Sequence, residues 1–294
     1  KRNNWSFITW SGKVKKKTDV GKIIEEKTKG IKKSLISKVL HISKRNLYYQ
    51  NQKQSTKDEA LKYQILKVLE SNPAYGHRRI AMALKLGKKR VRRVMRLNHI
   101  KPFKRKARWS KRKDFGNPDS GFPNLIKGSC PIKPNVVFAG DFTYLRWNNR
   151  FIYLATFLDL FTREIVGWSV SIKHTEDLVI EAYLDAVRNV GKSQIVHTDQ
   201  GSEYRSKQYQ ETMTKLGVKI SMSKKGSPWE NGYQESWYDN FKTDLGLQFE
   251  RFETIGEFVE AIHQTIFYYN TKRIHTNLKM PPLSFKHMFL NPIV

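Results

Sequence analysis

The chain has 294 residues, of which 39% are hydrophobic and 12% aromatic, so it holds enough apolar material for a real core and global disorder is excluded. Its formal charge of +29 is uneven, because residues 1–120 carry 35 Lys and Arg against 8 Asp and Glu, whereas residues 121–294 carry 20 against 18. This asymmetry favours a polyanionic partner bound mainly by the first part of the chain over a simple basic tail.

The first 52 residues divide into two segments. Residues 1–19 have no regular period and are predicted to be a tail. Residues 20–52 are predicted to form a first helix-turn-helix, because apolar residues between Leu35 and Leu40 share one helix face and Ser43 is a good N-cap for the next helix. The DNA contacts predicted in this unit are Lys44 and Arg45.

Residues 53–100 are predicted to form a second helix-turn-helix. Ser55 or Thr56 would cap a helix that Pro73 ends, and a short helix over 75–84 would follow. The segment 88–97 is amphipathic, with an apolar side predicted to consist of Val91, Val94, Met95 and Leu97. It is typical of a DNA recognition helix, although an ordinary basic surface helix has the same pattern. The DNA contacts predicted here are Arg78, Arg79, Lys89, Arg90, Arg92, Arg93 and Arg96.

Residues 101–134 are predicted to be a basic linker. Phe103 and Trp109 are interleaved with its basic residues, and a turn-rich stretch follows at 116–123. Such a segment can follow a phosphate backbone or serve as a plain spacer, and both interpretations stay open. The DNA contacts predicted in the linker are Lys104, Arg105 and Arg108.

Residues 135–250 are predicted to form an α/β domain. Three strands, at 136–146, 151–160 and 164–172, are joined by short connections and should form an antiparallel meander. Helix and strand then alternate, with helices at 176–190, 206–216 and 229–246 and strands at 194–197 and 218–222. This order predicts a mixed sheet covered by helices. Residues 251–294 are predicted to be a helix over 255–270 followed by a tail.

Three acidic residues of this domain occur in unusual settings. Asp141 interrupts an apolar strand, where an unpaired buried carboxylate is costly. Asp199 follows a strand end, and Gly201 beside it permits close approach of another group. Glu235 is separated from Asp199 by 35 residues and lies on a helix whose apolar side would be Tyr238, Phe241 and Leu245. Together they predict a site for two divalent metal ions.

Each of these acids also has a simpler explanation when it is taken alone. Asp199 could cap a turn, and Glu235 could be an exposed helix residue. Lys242, two turns beyond Glu235, could bind a phosphate near the site or be a solvated surface lysine. Of the neighbouring acids, Asp159 is expected to close a turn or bind Arg163. Glu203 is expected to support the predicted metal ligands without binding the metal itself.

Short motifs follow one another in a fixed order along the chain. They are Tyr75-Gly76-His77-Arg78-Arg79-Ile80, Asp141-Phe142-Thr143-Tyr144, His197-Thr198-Asp199-Gln200-Gly201-Ser202-Glu203-Tyr204, Ser221-Met222-Ser223-Lys224-Lys225-Gly226, Trp229-Glu230-Asn231, Glu235-Ser236 with Lys242, and Tyr269-Asn270 with Arg273 and His275. In this order they resemble the bacterial insertion-sequence transposases of the DDE superfamily, which have a retroviral-integrase-like core. Within these the closest likeness is to the group whose enzyme is made from two overlapping reading frames.

The resemblance implies a ribonuclease-H-like catalytic core preceded by all-α helix-turn-helix domains. Asp141, Asp199 and Glu235 would be the catalytic residues and the ligands of two Mg²⁺ ions, for which Mn²⁺ can substitute. The implied reaction is 3′-end nicking at the inverted repeats of an insertion sequence, then strand transfer into target double-stranded DNA. A homodimer or larger synaptic complex is also implied. The chain begins with Lys1 rather than methionine, from which we expect a processed, trimmed or fused product.

The alternative function is a sequence-specific DNA-binding regulator with a vestigial core, against which the presence of all three acids argues. A retroviral integrase would need several cysteines for zinc, whereas Cys130 is the only one. A ribonuclease H would not explain the basic half of the chain. The single cysteine and the lack of a long apolar run predict a soluble, intracellular protein with no membrane segment, and the resemblance implies a cytoplasmic, nucleoid-associated one in bacteria.

Overall fold

A computed structural model describes residues 52–103, 121–128, 131–224, 227–246 and 248–292, together with Ser34. The predicted tail and nearly all of the first helix-turn-helix lie outside the described residues. So do Cys130 and the predicted DNA contacts Lys44, Arg45, Lys104, Arg105 and Arg108. The chain divides into two compact units, residues 1–60 and 61–294, and nearly all of the described residues belong to the second.

Within residues 52–103 the structure has three helices, α1 (Gln52–Ser71), α2 (His77–Ala83) and α3 (Lys88–Leu97). Their shared core is apolar and almost fully buried, and it contains Leu61, Ile65, Ile80, Val91 and Val94. The predicted cap of α1 is wrong, because the helix begins at Gln52, before Ser55 and Thr56. The prediction that Leu97 faces the core is also wrong, since Leu97 is 59% exposed. It lies two positions past Met95 and therefore on nearly the opposite side of the helix.

Five strands form one mixed sheet in the order β3-β2-β1-β4-β5. The strands are β1 (Val137–Trp147), β2 (Arg150–Asp159), β3 (Ile165–Ser171), β4 (Ile195–Thr198) and β5 (Lys219–Met222). The first three are antiparallel neighbours, which confirms the predicted meander, and β4 and β5 add in parallel. Asn148 and Asn149 both have positive φ in the β1–β2 turn, as the twist of a two-residue hairpin requires.

Helices cover both faces of this sheet. Helices α4 (Glu176–Val190) and α5 (Lys207–Lys215) share one buried cluster with Phe138 of β1. Helices α6 (Gly232–Leu245) and α7 (Ile255–Thr271) share the other cluster with Ala139 of the same strand. Successive side chains of β1 therefore enter opposite cores, as the period of a strand requires. Single 3₁₀ turns occupy Pro228–Asn231 and Phe249–Arg251.

The end of the chain differs from its prediction as a tail. Helix α8 (Pro282–Leu290) forms there, with proline at a helix-starting position. Phe285 and Phe289 pack against Phe161, with ring centroids at 5.4 and 4.7 Å. These apolar contacts with a distant loop account for the helix and were not visible from local patterning. Asp159 closes its turn as predicted, accepting hydrogen bonds from the backbone N–H groups of Phe161 and Thr162. No helix within the described ranges is long and apolar enough to cross a bilayer.

Candidate active site

Sheet register brings Asp141 and Asp199 level with each other. Strands β1 and β4 pair in parallel, and the last paired residues are Ala139 and His197. Asp141 lies two residues beyond Ala139, and Asp199 lies two residues beyond His197. The two aspartates are therefore at the same level of neighbouring strands, which are about 4.8 Å apart. The Asp141 Oδ1 accepts the Phe142 backbone N–H at 2.9 Å, and Asp199 Oδ1 accepts that of Gly201 at 2.9 Å.

Acidic side chains around Asp141 and Asp199 influence each other's ionisation. Burial, followed by the charges of Asp199 and Glu235, raises the pKa of Asp141 to about 8, while the Phe142 backbone N–H and Lys242 oppose the shift. Burial also raises the pKa of Asp199, to which the neighbouring Glu203 carboxylate contributes. The Asp141 and Asp199 carboxyl groups therefore share a setting in which a cation would be strongly favoured.

A side chain at Gly201, in the loop after β4, would crowd two carboxylates. A Cβ atom there would lie 2.9 Å from Glu203 Oε2 and 3.1 Å from Asp199 Oδ1. Glu203 is buried, and its Oε1 accepts hydrogen bonds from the Ser202 hydroxyl and from the His174 ring at 2.8 and 2.9 Å. This loop holds Glu203 directly behind Asp199, where the predicted supporting role would place it.

Helix α6 is fastened to β1 by polar side chains that sequence reasoning missed. Gln234 is fully buried, and its Nε2 donates to the carbonyl groups of Ala139 and Thr156 at 2.5 and 3.1 Å. The Tyr238 hydroxyl donates to the Asp141 carbonyl at 2.7 Å, and Asn231 Nδ2 donates to Gly140 at 3.1 Å. We call Asn231, Gln234 and Tyr238 the α6 clamp. Their spacing continues the apolar stripe of this helix, which is the signal that could have revealed them.

Glu235 lies beside the α6 clamp but on the outer side of the helix. It is exposed and lines an open cavity of about 460 Å³ together with Gly232, Ser236, Asp239, Asn240 and Thr243. Lys242 is half-buried, and its Nζ donates to the Thr143 hydroxyl at 2.5 Å and lies 5.5 Å from the Tyr144 ring centroid. Lys242 is therefore held near Asp141 and is not a solvated surface lysine.

No three His, Cys, Asp or Glu side chains in the described part of the chain lie close enough together to hold a metal ion. Asp141, Asp199 and Glu235 nevertheless lie close enough for the charges of Asp199 and Glu235 to raise the pKa of Asp141. Their donor atoms are all carboxylate oxygens, which are the ligands that Mg²⁺ and Mn²⁺ prefer. The chemistry of this donor set fits a divalent cation.

The chain matches known proteins over this region. Residues 131–228 and 216–282 each match a family described as integrase core domain. Over 197 residues the chain is 39% identical to the transposase for insertion sequence element IS904 of Lactococcus lactis subsp. lactis (strain IL1403), covering 64% of this chain and 76% of that protein. The chain belongs to the bacterial insertion-sequence transposases. It is also 30% identical over 244 residues to the uncharacterized 31 kDa protein of insertion element IS600 from Shigella sonnei, covering 79% of this chain and 89% of that protein.

The fold of this transposase is that of the retroviral integrases. It is similar to the simian T-cell lymphotropic virus intasome, solved in complex with the PP2A regulatory subunit B56 gamma, with a TM-score of 0.50 and 16% identity. That likeness covers 78% of this chain and 76% of the viral one, and at this identity it concerns the fold alone. The predicted ribonuclease-H-like core with a mixed sheet is confirmed.

The predicted DNA contacts of the transposase fall into two groups. On α2 and α3, the exposed residues are Arg78, Lys89, Arg90, Arg92 and Arg96, and Arg93 is half-buried. Arg79 differs, because its Nε donates to the Ile274 carbonyl at 3.1 Å and its guanidinium lies 5.9 Å from the Tyr75 ring centroid. Arg79 thus joins α2 to the segment after α7, an internal contact between residues far apart in sequence.

Proposed function

We propose that this transposase binds the inverted-repeat ends of an insertion sequence and performs metal-dependent 3′-end nicking and strand transfer at Asp141, Asp199 and Glu235. The observation that carries the proposal is the parallel register that brings Asp141 level with Asp199. The raised pKa of Asp141, caused by burial and then by its acidic neighbours, adds support. A structural role for these carboxylates would not favour such mutual repulsion.

Asp141, Asp199 and Glu235 would hold two Mg²⁺ ions, for which Mn²⁺ can substitute. When bound, the ions would activate the attacking oxygen and stabilise the leaving oxygen of the phosphodiester. The surrounding residues would set the geometry. The α6 clamp keeps the start of helix α6 on β1, Gly201 holds the Asp199 carboxylate, and Lys242 would contact a phosphate of the bound strand.

Double-stranded DNA, from both the transposon ends and the target, is the proposed partner. Helix α3 would enter the major groove, since its apolar side is buried against α1 and α2 while six of the basic side chains on α2 and α3 are exposed. Lys44, Arg45, Lys104, Arg105 and Arg108 are proposed as further contacts on the strength of the sequence. Two or more copies would join paired ends in a synaptic complex, in the bacterial cytoplasm and at the nucleoid.

The test compares two variants of helix α6. Glu235→Gln should abolish nicking and joining of an inverted-repeat duplex in Mg²⁺ or Mn²⁺, because it removes a metal ligand. Asp239→Asn is the matched control, since Asp239 lines the same cavity one turn later and should keep most activity. Full activity of Glu235→Gln would rule out its proposed role. End binding by the wild type with no cleavage in either metal would instead favour a DNA-binding regulator with a vestigial core.

A further inference from the structure

A second cavity, of about 320 Å³, lies on the neighbouring face of helix α6, and three arginines contribute to its lining. Arg79, Arg163, Arg273 and His275 contribute to its wall, with Ser236 and Asn240 among the polar neighbours. None of the twelve described residues that line it is acidic. The volume is at the lower end of the range for ligand sites, roughly 300–1,000 Å³. It suits a small anionic group rather than a large cofactor.

Three side chains that line the cavity carry buried nitrogens with no hydrogen-bond or ion-pair partner among the described residues. These atoms are Nη1 of Arg163, Nδ1 of His275 and Nε1 of Trp237. Buried side-chain nitrogens are ordinarily hydrogen-bonded, so each unpartnered one calls for an explanation. The Arg163 guanidinium is also held in place, lying 3.9 Å from the Tyr233 ring centroid. Arg163 and His275 both line the cavity, so these two nitrogens are the groups that a ligand oxygen there would be expected to meet.

The charge around the cavity is only partly compensated. Arg273 is 2% exposed, forms an ion pair with Asp244 and donates to Asn240 Oδ1 at 2.8 Å. Asp244 can balance one of the three arginines. Burial, and to a smaller extent the charges of Arg163, Arg79 and Arg273, together lower the pKa of His275 to about 4. The three arginines thus all act against a positive charge at His275, and with only Asp244 to balance them they favour an anion in the cavity.

The cavity adjoins the proposed active site. Ser236 and Asn240 line both this cavity and the one that contains Glu235. A DNA strand whose reacting phosphate lies at the acidic residues would therefore have a neighbouring phosphate within reach of the arginines. Arginine suits this task because its planar guanidinium can donate two parallel hydrogen bonds to phosphate oxygens.

We propose that the cavity formed by Arg163, Arg273, His275 and Arg79 is a receptor for one backbone phosphodiester of the DNA strand held at Glu235. The inference rests on the proposed function, since it requires DNA at the acidic site. It assigns a ligand to the Arg273 and His275 motif, which the metal site does not use. Arg163 and His275 would contact the phosphate directly, whereas Arg273 would shape the cavity through Asp244 and Asn240.

The test is a double-mutant cycle between one protein cation and single DNA phosphates. End duplexes carrying one neutral methylphosphonate at each position in turn are titrated with wild type and with Arg163→Gln by fluorescence anisotropy. Loss of one charged hydrogen-bonded contact should weaken binding roughly tenfold to a hundredfold. At one phosphate position the combined loss should equal the loss from either change alone. Additive losses at every position would overturn the proposal.

Matched variants separate this effect from folding and from general charge. Arg188→Gln removes a guanidinium from the surface of α4, where it is 62% exposed, and should give additive losses throughout. Thermal unfolding identifies any unfolded variant. His275→Asn gives a second cycle that should point to the same phosphate, because the backbone bond of His275 to Met280 does not depend on its side chain.

Two further outcomes are decisive. If inorganic phosphate alone shifts the His275 ring resonances while every DNA cycle is additive, the cavity holds a free anion and the proposal is wrong. If wild type binds no end duplex at all, the proposed function fails, and this inference fails with it. If wild type binds the end duplex but neither Arg163 nor His275 is coupled to any phosphate, the phosphate-receptor proposal is wrong while the proposed function stands.

Discussion

Replacing Asp141 by asparagine should stabilise the metal-free protein at alkaline pH while it removes activity. In the unfolded chain this carboxyl group loses its proton near pH 3.8, whereas burial and the neighbouring acids raise its pKa to about 8 in the folded protein. Between these values the folded state binds more protons than the unfolded state. Stability therefore falls as pH rises through this window, and asparagine removes that loss.

The size of the effect follows from the pKa shift. Each pKa unit corresponds to about 1.4 kcal/mol, so a shift of about four units sets an upper limit of roughly 5–6 kcal/mol above pH 8. Asp141 is half-buried and coupled to Asp199, so water and relaxation reduce this value. We expect Asp141→Asn to raise the free energy of unfolding by about 2–3 kcal/mol at pH 8.5 and by under about 1 kcal/mol at pH 5.

Urea unfolding in EDTA at the two pH values measures this difference. The change between pH 5 and pH 8.5 is the informative quantity, because asparagine also alters local hydrogen bonds by an amount that does not depend on pH. Adding Mg²⁺ should restore stability to wild type and have little effect on Asp141→Asn. An equal effect of the substitution at both pH values would refute the reasoning.

Three further predictions concern packing, positioning and DNA binding. Gly167→Ala should lower the free energy of unfolding by about 3 kcal/mol or more, because its Cβ would lie 2.3 Å from the Ala186 backbone nitrogen. In the control Gly76→Ala the new Cβ meets no atom within 4 Å, so urea unfolding should be nearly unchanged. Gln234→Leu should lower the free energy of unfolding by about 2 kcal/mol, because it removes the hydrogen bonds of Gln234 in the α6 clamp. In gel assays it should reduce DNA joining far more than end binding. Equal losses of joining and of end binding would contradict this. In gel-shift titrations Arg92→Ala should weaken binding of the DNA end by about 1 kcal/mol and make that affinity less dependent on salt concentration. An unchanged affinity would indicate that residues 31–50 recognise the DNA end instead.

Much of the fold was predictable because its signals are local. The strands of the meander, helix α4 and helix α3 follow from periodicity and turn residues, and their observed bounds lie within one or two residues of the prediction. Asp141 and Asp199 were recognisable because an acid in an apolar strand and an acid at a strand end are both unusual. Their level register required the actual pairing of β1 with β4, which no local pattern contains.

What the sequence did not reveal depends on contacts between distant residues. Gln234 resembles any polar helix residue until β1 lies against it. Arg79 resembles a DNA contact, yet it bonds to Ile274, and Arg163 meets His275 only because α7 returns the chain to the same side of α6. Such contacts join residues about 100 to 200 positions apart. Periodicity and composition carry no information about them.

The most direct test of the central claim is strand joining by Asp199→Asn. With an end duplex that already carries a free 3′-OH, a target DNA and Mn²⁺, wild type should join the two, and the variant should bind the end with wild-type affinity but give no joined product. The matched change at Asp239 should leave joining intact. A joined product from Asp199→Asn would contradict the assignment of Asp141, Asp199 and Glu235 as the catalytic acids.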